Sequence, residues 1–348
     1  MSDGPMNLGV RTLIAVGIGA VLIMLAILLW QLIPILVLIF AGCLLAIFLR
    51  AVAGWLAMHS PFKGGIALGV VGFGLIVLII GAGWLVAPRV TEQAQALGEA
   101  LPAAMEELGT NLEEYPWGQF LIGQIPDADE LLAERFNVWA RLGGVVTATV
   151  GVLVDVLVIL FVGIYFAINP ALYIRGAVRL MPLHRRERIA EILATVAEAL
   201  RWWLAARLLA MISVGMLAGV GLWALDVPMA LTLGLLAGVL AFVPFVGPLV
   251  ALIPAALLAL VEDPIISLYV LILFLAIQAI DSLFITPRLQ RRLVDLPIAL
   301  VLFAQVVMAI TVGLWGWLMA TPLLVVVVMV IKLFYIEDIL GDGSRDAG

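Results

Sequence analysis

Leu225-Asp226-Val227-Pro228-Met229-Ala230-Leu231 and Val294-Asp295-Leu296-Pro297-Ile298-Ala299-Leu300 follow one pattern: apolar-Asp-apolar-Pro-apolar-Ala-Leu. Nineteen residues past that proline each copy reaches a glycine, Gly247 or Gly316, and a second proline follows at Pro254 or Pro322. Because the agreement runs beyond the seven matched residues, it reads as an internal duplication. Each copy opens on Asp-x-Pro, which predicts a helix start with a capping carboxylate and a proline in the first turn. An apolar arm of about 15 residues follows, roughly 22 Å long and short of the roughly 30 Å hydrocarbon core of a bilayer. A breaker then interrupts the arm: Pro244-Phe245-Val246-Gly247-Pro248 in the first copy, Thr311-Val312-Gly313-Leu314-Trp315-Gly316 in the second. A second apolar arm returns. Short arms around a break predict two re-entrant hairpins, over 229–261 and 297–334.

Working outward, charge sets their direction. If 229–261 enters and leaves on the outer side, Glu262 and Asp263 are external and 265–285 crosses inward. Arg288, Arg291 and Arg292 then reach the cytoplasm, as the positive-inside rule requires. A single crossing between them makes the two hairpins enter from opposite faces, an inverted repeat of the kind that places a substrate site near the membrane midplane.

The rest of the chain fits a membrane. Hydrophobic residues make up 65% of the 348 and charged residues 12%, more apolar surface than a water-soluble domain can hide. Thr12 to Leu49 carries no charge, and two spans are expected there, 12–30 and 32–49, parted at Gln31 and Pro34. A third covers 65–88, a fourth 143–168, and a fifth ends near Leu225. Loop 50–63 and segment 169–202 are basic and expected in the cytoplasm. Segment 89–142 holds ten carboxylates against three arginines and is expected outside, as an amphipathic acidic cover or oligomer contact. Residues 185–203 carry Ile189, Ile192, Val196, Leu200 and Trp203 on one face. With its arginines and the Trp202–Trp203 pair, this stretch is expected as an interfacial helix. Residues 203–334 form the expected transport core, and 335–348 an acidic cytoplasmic tail.

Several chemistries are excluded. One cysteine, Cys43, precludes an internal disulfide, and His59 and His184 are too far apart in the chain to suggest a metal site. No phosphate-binding loop motif occurs. No catalytic constellation falls within the spans, so no enzyme, no cofactor and no nucleic-acid partner are expected.

The C-terminal half resembles the autoinducer-2 exporter (AI-2E) family of bacterial membrane proteins. The resemblance lies in Phe242-Val243-Pro244-Phe245-Val246-Gly247-Pro248, Ile253-Pro254-Ala255, and Asp281 followed by Thr286-Pro287-Arg288-Leu289. Leu296-Pro297 and Trp315-Gly316…Thr321-Pro322-Leu323 add to it. The resemblance implies an exporter of a small polar solute, the signal furanone in some members and sodium or lithium exchanged for protons in others. It also implies a homo-oligomer in the bacterial plasma membrane. Gly313-Leu314-Trp315-Gly316-Trp317 departs from the more glycine-rich turn common in the family.

The expected fold class is therefore all-α: a polytopic membrane protein with about six full spans and two oppositely oriented hairpins, eight transmembrane segments by family counting. Both termini are expected in the cytoplasm. Asp281 and Gln278, three apart on the span between the hairpins, are the first site candidates, because an ionisable group inside a membrane helix is a functional candidate by default. The alternative for Asp281 is a structural pair with Arg288. Asp155 lies twelve residues into the fourth span and either acts in transport or makes an interhelical hydrogen bond or a subunit contact. Gln305, Thr311 and Thr232 on the arms suit a polyol or an ion. Pro244, Gly247, Pro248, Gly313 and Gly316 are expected at the hairpin tips, and Asp226, Pro228, Pro254, Asp295, Pro297, Pro322, Pro287 and Arg288 as structural punctuation. The expected partners are lipid, a small polar solute, and H+ or Na+. A non-transporting scaffold acting through 89–142 is the reading from another class.

Overall fold

In this lipid-soluble chain the first helix has no reason to stop early. The computed structural model describes residues 8–62, 64–81, 84, 145–285 and 296–339. Within it α1 runs unbroken over Leu8–His59, 52 residues or about 78 Å, straight through Gln31 and Pro34. The two spans expected over 12–49 are one helix. A proline removes one backbone donor, but a turn would strip several backbone groups of partners where lipid offers none, so continuing the helix costs less. The acidic segment 89–142, Pro287, Arg288 and Asp295, and the tail beyond 339 lie outside the described residues.

The other helices follow in order. α2 covers Gly65–Gly81, α3 Val145–Ile168, α4 Pro170–Arg179 and α5 Arg186–Ala224. α6 (Ala230–Leu240) and α7 (Val246–Glu262) form the first hairpin, and α8 spans Pro264–Ile280, extended by a π-helical turn, Asp281–Ile285. α9 (Ile298–Val312) and α10 (Leu314–Val330) form the second, and α10 continues as a π-helical stretch, Ile331–Glu337. Among the described residues every element is helical, and five helices are long and apolar enough to cross a bilayer. The chain is an all-α polytopic membrane protein. Its outer faces carry Trp84, Phe303 and Ile310 bare, as lipid permits and water does not.

The hairpin arms are short: 11, 17, 15 and 17 residues, each about 25 Å or less. α10 differs, since its π-helical continuation makes a 24-residue apolar run, Leu314–Glu337, long enough to cross alone. The shared glycine does the same job in both copies. A Cβ on Gly247 would run into the Leu240 carbonyl, and one on Gly316 into the Met308 carbonyl, so each second arm folds back directly on the first arm. The breaks are not alike. The first is a turn over Ala241–Phe245, with Phe245 at φ 64°; the second is the single residue Gly313, at φ 78° and ψ −147°. That backbone region belongs to glycine. Thr311 and Val312 stay in α9, and Leu314 to Gly316 already belong to α10.

The Asp-x-Pro start holds less well. α6 begins only at Ala230, behind Met229, and Asp226 sits at φ 56° in the preceding turn rather than capping the helix. The capping carboxylate is Asp263: its Oδ1 accepts from the Ile265 amide at 2.7 Å, with Pro264 in the first turn of α8. In the second copy Pro297 stands at the N-cap of α9.

Packing divides the molecule into clusters joined by α5. Its C-terminal half packs with the first hairpin and α8 through Val214, Ala218, Ala237, Ala255 and Phe274. Its N-terminal half packs with α1 and α10 through Ile192, Val196, Trp203, Val37, Ala41, Met319 and Val325. The face expected on the headgroup layer is thus covered by protein: Trp203 is 3% exposed. A third cluster joins α1, α2 and α3 around Leu49 and Ala167. α5 and α6 cross glycine on glycine. Gly215 faces Gly238 and Gly219 faces Gly234, so the helices run antiparallel and the first hairpin's tip lies beside the middle of α5.

Candidate functional site

A helix break in a membrane strands carbonyls, and those of the first breaker are met by two buried side chains. Pro244 and Pro248 donate no backbone hydrogen bond, and the turn between α6 and α7 leaves the carbonyls of Phe242 and Pro244 outside the helical ladder, although the Pro244 carbonyl also accepts from the Val246 amide at 2.7 Å within the turn. Arg207 Nε, from the middle of α5, donates to the Phe242 carbonyl at 3.0 Å. Gln305 Nε2, from α9, donates to the Pro244 carbonyl at 3.2 Å and to Thr321 Oγ1 of α10 at 3.3 Å. Trp203 stands edge-on to the Phe242 ring, with centroids 5.7 Å apart. One turn of backbone therefore gathers residues from α5, α9 and α10.

Asp281 completes the group. It is buried at the end of α8, where the helix widens into its π-helical turn. Such widening is frequent at functional positions. Arg207 is the charge that acts on it, and no ion pair joins them among the described residues. Asp281 Oδ1 and Gln305 Oε1 are both buried without a hydrogen-bond partner among the described residues. Unmet buried acceptors cost on the order of 1–3 kcal/mol each, and these two oxygens are the group's acceptors still open to a donor or cation. The group holds a carboxylate, a guanidinium, an amide and a hydroxyl. It can accept from a polyol's hydroxyls or share oxygens with a cation.

The sequence candidates divide around this group. Gln305 and Asp281 belong to it, and Pro244, Gly247 and Pro248 form the turn it serves. Gln278 is half-buried on α8, its backbone carbonyl accepting from the Asp281 amide, with no side-chain hydrogen bond among the described residues. Thr311 is exposed and spends its hydroxyl on the Val307 carbonyl of its own helix, at 2.8 Å. Thr232 lies in the first turn of α6, its amide bonded to the Met229 carbonyl. Asp155 bonds a neighbouring element: its Oδ2 accepts from Trp315 Nε1 at 2.7 Å, on the tip of the second hairpin. Gly316 is buried there and Gly313 exposed. Pro254 and Pro322 lie inside α7 and α10 without ending them. Arg288, the expected structural partner of Asp281, lies outside the described residues, and the charge on Asp281 within them is Arg207.

Arg207, Thr321 and Trp315 were not anticipated as partners. A signal for Arg207 exists: Val196, Leu200, Trp203, Arg207, Ala210, Val214 and Ala218 recur at three- or four-residue spacing, and all are buried. An arginine on the buried stripe of a membrane helix needs a partner. Thr321 and Trp315 have no such signal, because their partners come from distant parts of the chain.

Comparison with known proteins places the chain in a family. The family model described as "AI-2E family transporter" matches residues 20–336. YueF of Bacillus subtilis (strain 168), named as a transport protein, is 23% identical over 265 residues, 72% of this chain and 70% of its own. YrrI of the same organism, also named as a transport protein, is 27% identical over 143 residues, 41% of this chain and 40% of its own. A model match that runs from within α1 through both hairpins to the end of α10 covers most of the fold described above, and the chain belongs to the AI-2E family of transporters.

Proposed function

We propose that the protein is a secondary transporter that exports a small polar solute across the bacterial plasma membrane, coupled to an ion gradient. The carrying observation is the pair of unpartnered buried oxygens, Asp281 Oδ1 and Gln305 Oε1, linked to the first hairpin's tip. An autoinducer-2-like polyol, which the family resemblance suggests, offers hydroxyl donors to such acceptors. Asp281 is the group through which H+ or Na+ couples. Both hairpins are re-entrant in this reading. Loop 50–63 faces the cytoplasm, so a single α1 puts the N-terminal end outside, opposite to the expectation from two spans. The motion is elevator-type. The shared packing of α6, α7 and α8 favours these helices as the moving part, and the packing of α10 on α1 weighs against carrying the whole second hairpin with them.

A sodium(lithium)/proton antiporter is the second reading, favoured by the carboxylate itself. Purified protein in proteoliposomes, assayed against ions and small polyols, separates them. Solute export predicts polyol flux that falls in Gln305→Ala and persists, uncoupled, in Asp281→Asn. Antiport predicts dye-reported proton movement that vanishes in Asp281→Asn with no polyol flux. Folded protein that moves nothing in the panel would sink both and leave the scaffold reading.

A further inference from the structure

We propose that a crevice between α1 and α5 is a binding site for an anionic phospholipid. Its volume is about 520 Å3, and it is separate from the group at the first hairpin's tip. Arg50 and Trp55 come from α1 and Arg201 and Trp202 from α5, while Phe48 and Leu208 are among its apolar walls. No acidic residue among the described residues lines it.

Three observations select the ligand. The first is level. Arg50 is the first charge after the uncharged run to Leu49, and beyond Arg201 the next charge on α5 is the buried Arg207. Both arginines thus stand where an apolar span meets the headgroup layer, and the cytoplasmic reading of the basic stretch 50–63, most of it the last turns of α1, makes that layer the inner one. The second is availability. Arg50 Nη1 is held by the Ala167 carbonyl at 2.8 Å, which aims the guanidinium and leaves its other donors without a hydrogen bond among the described residues. Arg201 is exposed, with its guanidinium carbon 5.8 Å from the Trp202 ring centroid and no ion pair among the described residues. Planar guanidinium groups suit phosphate oxygens. The third is shape. Charge at one level and apolar wall beside it match a headgroup with its acyl chains, and tryptophans favour that boundary. A soluble phosphate would use the arginines and leave the walls idle.

The test uses the full chain purified in nanodiscs of equal phosphatidylglycerol and phosphatidylcholine, with retained lipid counted by native mass spectrometry. The expected result is about tenfold enrichment of phosphatidylglycerol, the gain from roughly one good charge-assisted contact. Arg201→Gln, which breaks no hydrogen bond among the described residues, should remove most of that enrichment, and Arg201→Lys should keep part of it. Trp55→Ala should reduce total retained lipid without changing the headgroup preference. Arg175→Gln, an exposed arginine on α4, should change nothing. Equal retention of the two lipids by the parent protein would overturn the proposal. So would an Arg175→Gln effect as large as that of Arg201→Gln, or displacement of the lipid by millimolar inorganic phosphate.

Discussion

Trp315 donates its indole N–H to Asp155 at 2.7 Å, so the tip of the second hairpin is fastened to the middle of α3 across 160 positions of chain. The bond joins the last third of the molecule to its first half and is partly buried. A hydrogen bond to a charged acceptor contributes about 1.5–3 kcal/mol. Asp155→Ala and Trp315→Phe should each lower the thermal midpoint in detergent by several degrees. The double variant should lose little more than either single one, giving a coupling of about 1–2 kcal/mol. Additive losses would mean that the two side chains act separately.

Gln305 is the most constrained polar residue of the site. Gln305→Ala leaves the Pro244 carbonyl and the Thr321 hydroxyl without their amide partner and should cost about 1–3 kcal/mol. Gln305→Glu keeps the shape but supplies an acceptor where two donors are needed, and should cost at least as much. Chemical denaturation of the detergent-solubilised protein reads both. A Gln305→Glu variant as stable as the parent would show that the amide's orientation is not what holds the tip.

The glycine crossing of α5 and α6 predicts an asymmetry between two facing residues. A Cβ on Gly234 would stand 2.5 Å from the Gly219 Cα, which is backbone and cannot turn aside. A Cβ on Gly219 would find its nearest neighbour, the Gly234 Cα, at 3.8 Å, an ordinary contact. Gly234→Ala should therefore destabilise by about 1–3 kcal/mol or more, while Gly219→Ala stays within about 0.5 kcal/mol. Melting curves of the two variants side by side decide it.

Arg188, in the first turn of α5, reaches Glu191 at 3.3 Å, Glu337 at 3.2 Å and Asp338 at 2.9 Å. These partners bring the C-terminal end of the π-helical stretch to the start of α5. Because the cluster is partly exposed, Arg188→Ala should cost no more than about 1 kcal/mol, and raising salt to about 1 M should erase most of the difference. A loss that salt does not touch would point to packing by the arginine stem instead.

The duplicated frame was legible because it is local. Gly247 and Gly316 hold equivalent places in the two hairpins, as their shared offset from proline implied. Capping was misjudged. Asp226 and Asp263 each precede a proline, but only the second has an extended backbone that lets its carboxylate reach back to the helix, while the first sits in a left-handed turn. The supposed break at Gln31 and Pro34 failed for a related reason, since proline ends a helix readily in water and poorly in lipid. The site was half legible. Asp281 and Gln305 were conspicuous as polar residues in apolar helices, whereas Arg207, just past the basic segment, did not stand out because charge counts ignore which face of a helix a residue occupies.

From the sequence alone came the solvent, the all-helical class and the duplication, since hydropathy and short-range chain chemistry depend only on neighbours along the chain. The tertiary structure alone decided that the carbonyls of Phe242 and Pro244 in one breaker accept from Arg207 and Gln305, residues 35 and 61 positions away from them. It also turned two hairpins that look alike in sequence into unlike parts, one packed with α8 and the other partly against α1. Hydrogen bonds and packing join whatever the fold brings together, and distance along the chain does not predict them.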